Sequence, residues 1–462
     1  MNSFYNPLFV SKVIKSYLFD INRLKRVNDA RLRRYQDRQF KKMVEFAYTV
    51  PLYRDKFSEK GLKPNEVKGL KDIDKLPFLD KKDFKKYYPD GLISNKVNRD
   101  NLIEVSTSGT TGKSLSIFVS LFDIVKGLFG YIRKLREYNI NWRKHRLSII
   151  GDFAPHTVET GYINKGLETD RNFRFLFKNI QWLDTNDDPE KVIEKLNDFD
   201  PYFIGGYTGM LGHLALLKTK GMGRNVSPHV IASTGAPLDR YLKKFIQDAF
   251  NSEIFESYGS TETGPIAFHC RNNSYHVLSD YVFLEYFDED KPVKPGDAGE
   301  IVVTKLYGNG TPILRYTAMK DIVQPSQKNC GCNLSGDLID KIYGRKDLGI
   351  YLPDGKMLLP SSWGRVYSKV LYDLKTNRLR DTQIIQHSLD EIEIKVKIKH
   401  DSRETSDLSE KIIGAIKSEF IGLVGSDVNV TVKEVDEIKR KKDEARVNSH
   451  VEKKDFRVKK YL

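Results

Sequence analysis

The chain has 462 residues, 39% of them hydrophobic and 30% charged, with 17 prolines, 32 glycines and three cysteines. Such a composition allows a large core in more than one domain, and it excludes a small binding module, a low-complexity or repeat protein and a disulfide framework. Lys and Arg outnumber Asp and Glu by 77 to 62, a formal charge of +15 that suits an acidic partner such as a nucleotide, a nucleic acid or an anionic membrane.

In the first fifty residues eleven Lys and Arg stand against four acids. Val10, Val13, Ile14, Tyr17, Leu18, Ile21 and Leu24 recur at helical steps, so residues 1–39 read as a basic amphipathic helical lead. Docking on its own domain is the expected use; a membrane-surface helix or a homodimer contact shares the pattern. No apolar run reaches the roughly 18 residues that span a bilayer, and no signal-peptide core is present, so a cytoplasmic protein is expected. Farther on, Arg146–Ile150 reads as a strand, Pro189–Leu196 as a helix and Tyr202–Gly206 as a strand, an α/β alternation. Near the end, Ile392, Ile394, Val396 and Ile398 alternate, Leu408–Leu423 has helical spacing, and Val428, Val430 and Val432 alternate again. This predicts a small α+β domain, divided from the rest at the polar, glycine-bearing stretch Gly344–Gly349, giving domains 1–344 and 345–462. The basic tail after Lys433 is interleaved with acids and carries no module signature, so no specific nucleic-acid partner is expected.

The most informative segment is Ser106-Thr107-Ser108-Gly109-Thr110-Thr111-Gly112-Lys113. Glycines let backbone amides approach phosphates, hydroxyls donate further hydrogen bonds, and the lysine adds charge. A Walker A loop would need glycine where Thr107 stands, so the ordinary P-loop reading fails. Ser108 to Gly112 resembles the phosphate loop of the adenylate-forming superfamily of acyl-CoA synthetases, luciferases and peptide-synthetase adenylation domains. Tyr258-Gly259-Ser260-Thr261-Glu262 is similar to the second signature of that superfamily, Ser233 to Leu238 to its adenine-pocket turn, Arg315-Tyr316 with Asp321 to its ribose segment, and Gly344-Arg345-Lys346-Asp347 to its hinge. Phe40 to Arg54, Leu76-Pro77-Phe78, Lys81-Lys82-Asp83, Gly205-Gly206-Tyr207 and Asp381 to Gln386 resemble phenylacetate-CoA ligases and their CapK-type relatives from capsular polysaccharide synthesis.

The resemblance implies a large multi-sheet N-terminal domain and a small mobile C-terminal domain that together activate a small carboxylic acid with ATP as an acyl-AMP. Ser108, Gly109, Thr110, Thr111, Gly112 and Lys113 would hold the β and γ phosphates, Gly235, Ala236, Pro237, Tyr258 and Gly259 the adenine, and Asp321 the ribose, with Arg345 at the hinge. Thr261 would meet the α-phosphate and Glu262 would hold magnesium; coenzyme A or another acceptor would then take the acyl group. Two departures stand out. Lys320 occupies a position before Asp321 where a glycine is normal, and the C-terminal Gly-Lys turn has no clear counterpart, Lys442 being the nearest to its lysine. These departures leave open a catalytically degenerate nucleotide-binding or scaffold protein as the alternative.

The three cysteines fall near the same motifs. Cys270, Cys330 and Cys332 with His276, or His269 in its place, supply three thiolates and an imidazole, a full tetrahedral set for a structural zinc. Tyr207 and Phe255 would suit an aromatic acid as well as core packing, and the acyl pocket itself is not readable from the sequence.

Overall fold

Asn6 opens helix α1 (Pro7–Asp20) by accepting hydrogen bonds from the amides of Leu8 and Phe9, with Pro7 in the first turn, where no donor is needed. The computed structural model describes residues 6–106, 115–153, 157, 160, 177–400, 407–438 and 449–453. The amphipathic stripe predicted for the lead is interrupted at Ile21–Asn22 and resumes as α2 (Arg23–Arg26). The break turns Ile21 and Leu24 fully inward, while Val13 and Tyr17 pack beside Val125 and Phe129. Leu8, Ile14, Leu18 and Phe19 stay exposed. Among the described residues no helix is long and apolar enough to cross a membrane.

Helices α3 (Asp29–Ala47), α4 (Pro51–Glu59) and α5 (Lys81–Tyr87) follow, their apolar faces joining the largest core through Phe40, Val44, Tyr53, Phe57 and Phe84. A hairpin of β1 (Leu102–Ser106) and β2 (Ser116–Ser120) leads into α6 (Leu121–Glu137), which begins with a capping box between Ser120 and Asp123. Helix α6 buries two cations against carboxylates brought from elsewhere. Arg133 forks onto Asp280 at 2.7 and 2.9 Å and donates to the carbonyls of Asp20 and Ile21, while Lys126 reaches Asp20 at 2.6 Å. Arg23 and Ser16 also bond Asp20, so the lead is pinned by a closed ionic cluster rather than by apolar contact alone.

Strands β3 (Leu147–Gly151), β4 (Ile180–Asp184), β5 (Phe203–Tyr207), β6 (Val230–Thr234) and β7 (Glu253–Ser260) lie parallel in the order β4-β3-β5-β6-β7. The crossovers run through α7 (Pro189–Phe199), α8 (Thr208–Thr219) and α9 (Arg240–Phe250). At β7 the polarity reverses. Antiparallel β8 (Gly264–His269), β9 (Tyr275–Val277), β10 (Val282–Asp288), β11 (Lys291–Pro292), β12 (Gly299–Lys305), β13 (Asp321–Pro325) and β14 (Leu338–Arg345) extend the sheet to twelve strands. The α/β expectation with a large sheet holds, and β3, α7 and β5 overlap the three elements read from the sequence.

After β14 a short hairpin of β15 (Ile350–Tyr351) and β16 (Met357–Leu358) precedes α10 (Pro360–Asp373). A second sheet then forms in the order β19-β18-β17-β20 from β17 (Leu379–Gln386), β18 (Glu391–Ile398), β19 (Asn429–Glu434) and β20 (Ser449–Lys453). It is backed by α11 (Asp407–Val424), whose Ile412, Ile416 and Phe420 bury against Ile384, Ile392, Ile394 and Val396. Helix α10 spans two cores. Trp363, Val366 and Val370 face the small sheet, and Tyr372 stacks on Phe245 at 4.0 Å, its hydroxyl lying where a Cβ on Gly212 would sit.

Removing one partner of the α6 cluster strands the other in a buried site. Arg133→Met should cost about 3–5 kcal/mol in urea unfolding, and the double change Arg133→Met with Asp280→Leu should recover most of it. Equal loss in the single and double variants would show that packing, not the stranded charge, sets the cost.

Candidate functional site

The loops after parallel strands gather at one edge of a sheet, which is where α/β proteins build their sites. Here β5 ends in Tyr207, β6 in Thr234 and β7 in Ser260. The turn after β6 is fixed by steric and polar contacts together. Gly235 has φ +85°, and a Cβ there would lie 2.4 Å from the Tyr207 ring, so only glycine lets the two strands' ends close up. The Thr208 hydroxyl joins Ser233 at 2.8 Å and the carbonyls of Thr234 and Ala236, while Thr234 donates to the carbonyl of Ser257 at 3.0 Å. Gly235, Ala236 and Pro237 thus line the same cleft as Tyr258 and Gly259. Phe255 lies outside it as a core ring stacked on Tyr138 at 4.1 Å.

Tyr258 donates from its hydroxyl to Asp321 Oδ2 at 2.7 Å. The next residue bulges the β7–β8 ladder, and a Cβ on Gly259 would meet the Gly264 carbonyl at 2.7 Å, so the motif's glycine is sterically required. Asp321 stands opposite Arg345 where β13 pairs with β14, and Arg345 in turn clasps Asp347 through two hydrogen bonds of 2.9 and 2.7 Å. Lys320, the departure from glycine, adopts φ +61°, the left-handed conformation that glycine enters without cost, and its carbonyl accepts from the Lys346 amide at 2.7 Å. The backbone shape is therefore kept although the residue is not. Burial pushes the Asp321 carboxyl up to about 6, with Tyr258 and Arg345 opposing and Asp347 and Glu262 adding to the rise.

Glu262 is half-buried on the turn after β7, beside Thr261, with Tyr316 donating to its Oε1 at 3.0 Å. No described Lys or Arg forms an ion pair with it, although the positive charges of Lys81 and Arg345 act on it from farther off. Arg315, the first residue of the ribose segment, turns away to Glu285 at 2.8 Å and to the Leu76 carbonyl at 2.9 Å, with Phe78 under its guanidinium. Ser108, Gly109, Thr110, Thr111, Gly112, Lys113 and Lys442 lie outside the described residues. The two strands that flank the first six are described, and their last registered pair before that segment is Ser106 and Ser116, whose hydroxyls are 2.8 Å apart.

Among the cleft residues, Tyr316 and Lys81 fall in segments noted in the sequence but were given no role of their own there, and Lys134 was missed. Lys81 heads α5, held there by Asp80, which caps the amides of Lys82 and Asp83. Burial and Lys85 pull its ammonium below the ordinary lysine value, while Glu262 opposes the shift. Its place inside the segment that begins at Leu76 was the available signal. Lys134 lies inside a helix with no motif around it.

The cysteine cluster also converges. The ligand atoms of Cys270, His276, Cys330 and Cys332 all lie within 4.8 Å of one another, with Cys270 Sγ 3.3 Å from Cys330 Sγ and Cys332 Sγ 3.0 Å from His276 Nε2. A tetrahedral zinc with bonds of about 2.3 Å to sulfur and about 2.0 Å to nitrogen spaces its ligands about 3.5–3.8 Å apart, so the donor set fits. Burial pulls His276 down to about 4, which keeps the ring neutral as a ligand must be. His269 is not in the set; its ring lies against Tyr275 at 3.7 Å and its Nδ1 is 3.7 Å from Glu256.

No protein-family model matches the chain. It is 24% identical over 426 residues to a phenylacetate-coenzyme A ligase of Pseudomonas putida, covering 90% of this chain and 93% of that one. To protein CapK of Staphylococcus aureus it is 24% identical over 425 residues, covering 90% and 88%. The fold matches that of 2-hydroxyisobutyryl-CoA ligase in the postadenylation state with an acyl-AMP, at a TM-score of 0.70 and 17% identity over 92% of this chain and 90% of that one.

Asp321 ionises near 3.8 when unfolded and near 6 when folded, so the stability it gives is fully present below pH 3.8 and is lost as pH rises through 6. Asp321→Asn should therefore leave stability near pH 4 unchanged and raise it at pH 8 by about 2 kcal/mol, measured by denaturant unfolding. A fall at pH 8 would mean that pairing with Arg345 outweighs burial.

Proposed function

We propose that this chain, a relative of the phenylacetate-CoA ligases and CapK on the adenylate-forming fold, activates a small carboxylic acid with MgATP as an acyl-AMP and passes the acyl group to coenzyme A. The observation that carries the reading is the convergence of Gly235, Tyr258, Glu262 and Asp321 on one cleft, with Arg345 closing its edge. Adenine would lie between the Gly235–Pro237 turn and the Tyr258 ring, with the ribose hydroxyls on Asp321. Thr261 would donate to the α-phosphate, and the Ser108–Lys113 loop would wrap the outer phosphates. An ionised acid oxygen attacks the α-phosphorus as its bond to pyrophosphate breaks, so no side chain is needed as base or nucleophile.

Charge grows on the phosphate oxygens in that step, and preorganised positive charge lowers its cost. Magnesium held by Glu262 would supply it, and a carboxylate oriented by Tyr316 and ion-paired with no described cation fits that role. Lys81, facing the same carboxylate, is a further cation for the departing pyrophosphate. Division into domains 1–344 and 345–462 would let the small sheet turn about Arg345–Asp347 once the acyl-AMP forms, opening a path for the thiol and bringing in or removing Lys442. The likeness to CapK supports a product used in surface polysaccharide. Exposed Leu8, Ile14, Leu18 and Phe19 beside Lys12 and Lys15 support attachment of α1 to an anionic membrane surface.

The cysteine cluster is read as a structural zinc site, since four protein ligands leave no position for water. Metal analysis should find about one equivalent, lost together with thermal stability when Cys330 and Cys332 become serine. A protein that stays metal-free yet unchanged in melting temperature would remove zinc from the account.

The ligase reading is tested by pyrophosphate release from MgATP over a panel of aryl, fatty and sugar acids, with and without coenzyme A. Glu262→Gln keeps an acceptor for Tyr316 and removes the charge, so kcat/KM should fall at least about 100-fold while the melting temperature moves by less than about 3 °C. ATP binding without turnover on any acid would return the protein to a nucleotide-binding scaffold.

A further inference from the structure

Helix α6 buries three cations, and two of them have carboxylates: Lys126 pairs with Asp20 and Arg133 with Asp280. The third is Lys134. It is 4% exposed, its ammonium bonds the Ser257 hydroxyl, and no ion pair with a described carboxylate accompanies that bond. The surroundings are aromatic and small. Its ammonium lies 5.8 Å from the Tyr131 ring, and Tyr131 in turn fits against β5 only because position 205 is glycine, where a Cβ would lie 2.6 Å from the hydroxyl. Burial pulls the Lys134 ammonium down to about 7.

Position gives this cation its meaning. Ser257 immediately precedes Tyr258, and its carbonyl is held by Thr234 at the end of β6, so Lys134 lines the cleft next to the residues assigned to adenine. An ammonium taken out of water with one neutral partner is costly, and a buried cation of this kind lining a cleft is a candidate to pair with a ligand's charge. An apolar acid seated there would bury the charge permanently unpaired.

Resting on the ligase reading above, we propose that Lys134 is the specificity residue of the acyl pocket and pairs with a second carboxylate at the far end of the acid. The substrate class is a dicarboxylic acid, and an unsubstituted aryl or alkyl acid is rejected because it leaves the ammonium stranded.

The test compares acids matched in length: glutarate with pentanoate, adipate with hexanoate, and 4-carboxyphenylacetate with phenylacetate. Wild type, Lys134→Met and Lys134→Arg are each assayed for pyrophosphate release from MgATP and, independently of turnover, for acid binding by calorimetry in the presence of AMP. In wild type the diacid of at least one pair should be preferred about 100-fold. Lys134→Met should abolish that preference and leave AMP affinity unchanged, with partial recovery in Lys134→Arg. Because it removes a buried charge that no described carboxylate pairs, Lys134→Met should also melt no lower than wild type, whereas a merely structural lysine would lower it. Preference for the monoacid in wild type, no binding of any acid in the panel, or a ratio that moves less than about threefold in Lys134→Met overturns the proposal. Lys134-dependent diacid binding without pyrophosphate release retains it and removes the ligase reading; turnover with monoacids alone does the reverse.

Discussion

The site depends on one strand that belongs to two kinds of sheet. Along β7 the backbone bonds β6 in parallel and β8 in antiparallel register. Parallel neighbours send their following loops to the same edge, and this brings Tyr207, Gly235 and Tyr258 together. The antiparallel partners carry the chain back across the sheet, so that the first residue of β13 and the last of β14 return to that edge with Asp321 and Arg345. The bulge between Tyr258 and Gly259 marks the change, and it aims Tyr258 at Asp321 while the turn beyond swings Glu262 toward Tyr316. A Cβ at position 259 would displace all of these at once.

A second constraint keeps the inner wall of the cleft in place. Helix α6 would be a poor wall if only its apolar residues held it, because the N-terminal lead crosses its outer face. The pairs Arg133–Asp280 and Lys126–Asp20 fix the helix against both the lead and the turn before β10. Buried pairs add little net stability, but they allow only one arrangement, since any other leaves a charge unpaired. With Arg133 locked, the neighbouring Lys134, about 100° farther round the helix, is committed to a different side, facing Ser257.

Motifs whose residues are adjacent in sequence were legible because the chemistry constrains consecutive positions. Gly235, Gly259 and the Tyr258 to Glu262 run are such cases, and the cysteines were legible because so few occur in the chain. Long-range pairings were not. Tyr316 meets Glu262 across 54 positions and Lys134 meets Ser257 across 123, and no local pattern encodes either. Lys134 in Arg133-Lys134-Leu135-Arg136-Glu137 reads like the charged face of a surface helix, although the fold buries it. In the small sheet, alternation revealed β18 and β19, each with its apolar face on α11, but the central β17 is buried on both faces along much of its length and lacks a period. The choice between His276 and His269 likewise turned on facing. Each lies on one strand of the β8–β9 hairpin, and the ring of His269 is taken by Tyr275 and Glu256.

The large sheet is thin where the cysteine cluster sits. Between β8 and β14 it is carried by β9 alone, three residues long, with two registered pairs to β14 at Leu338–His276 and Ile339–Tyr275. Slippage there would move β14, and with it Arg345, relative to β7 and Tyr258. Cys270 follows β8, His276 lies on β9, and Cys330 and Cys332 belong to the connection between β13 and β14, so a metal shared by the four would tie both neighbours of that short strand. Its contribution would be to geometry at the cleft's edge rather than to chemistry, which fits a closed ligand set placed close to the cleft but outside it.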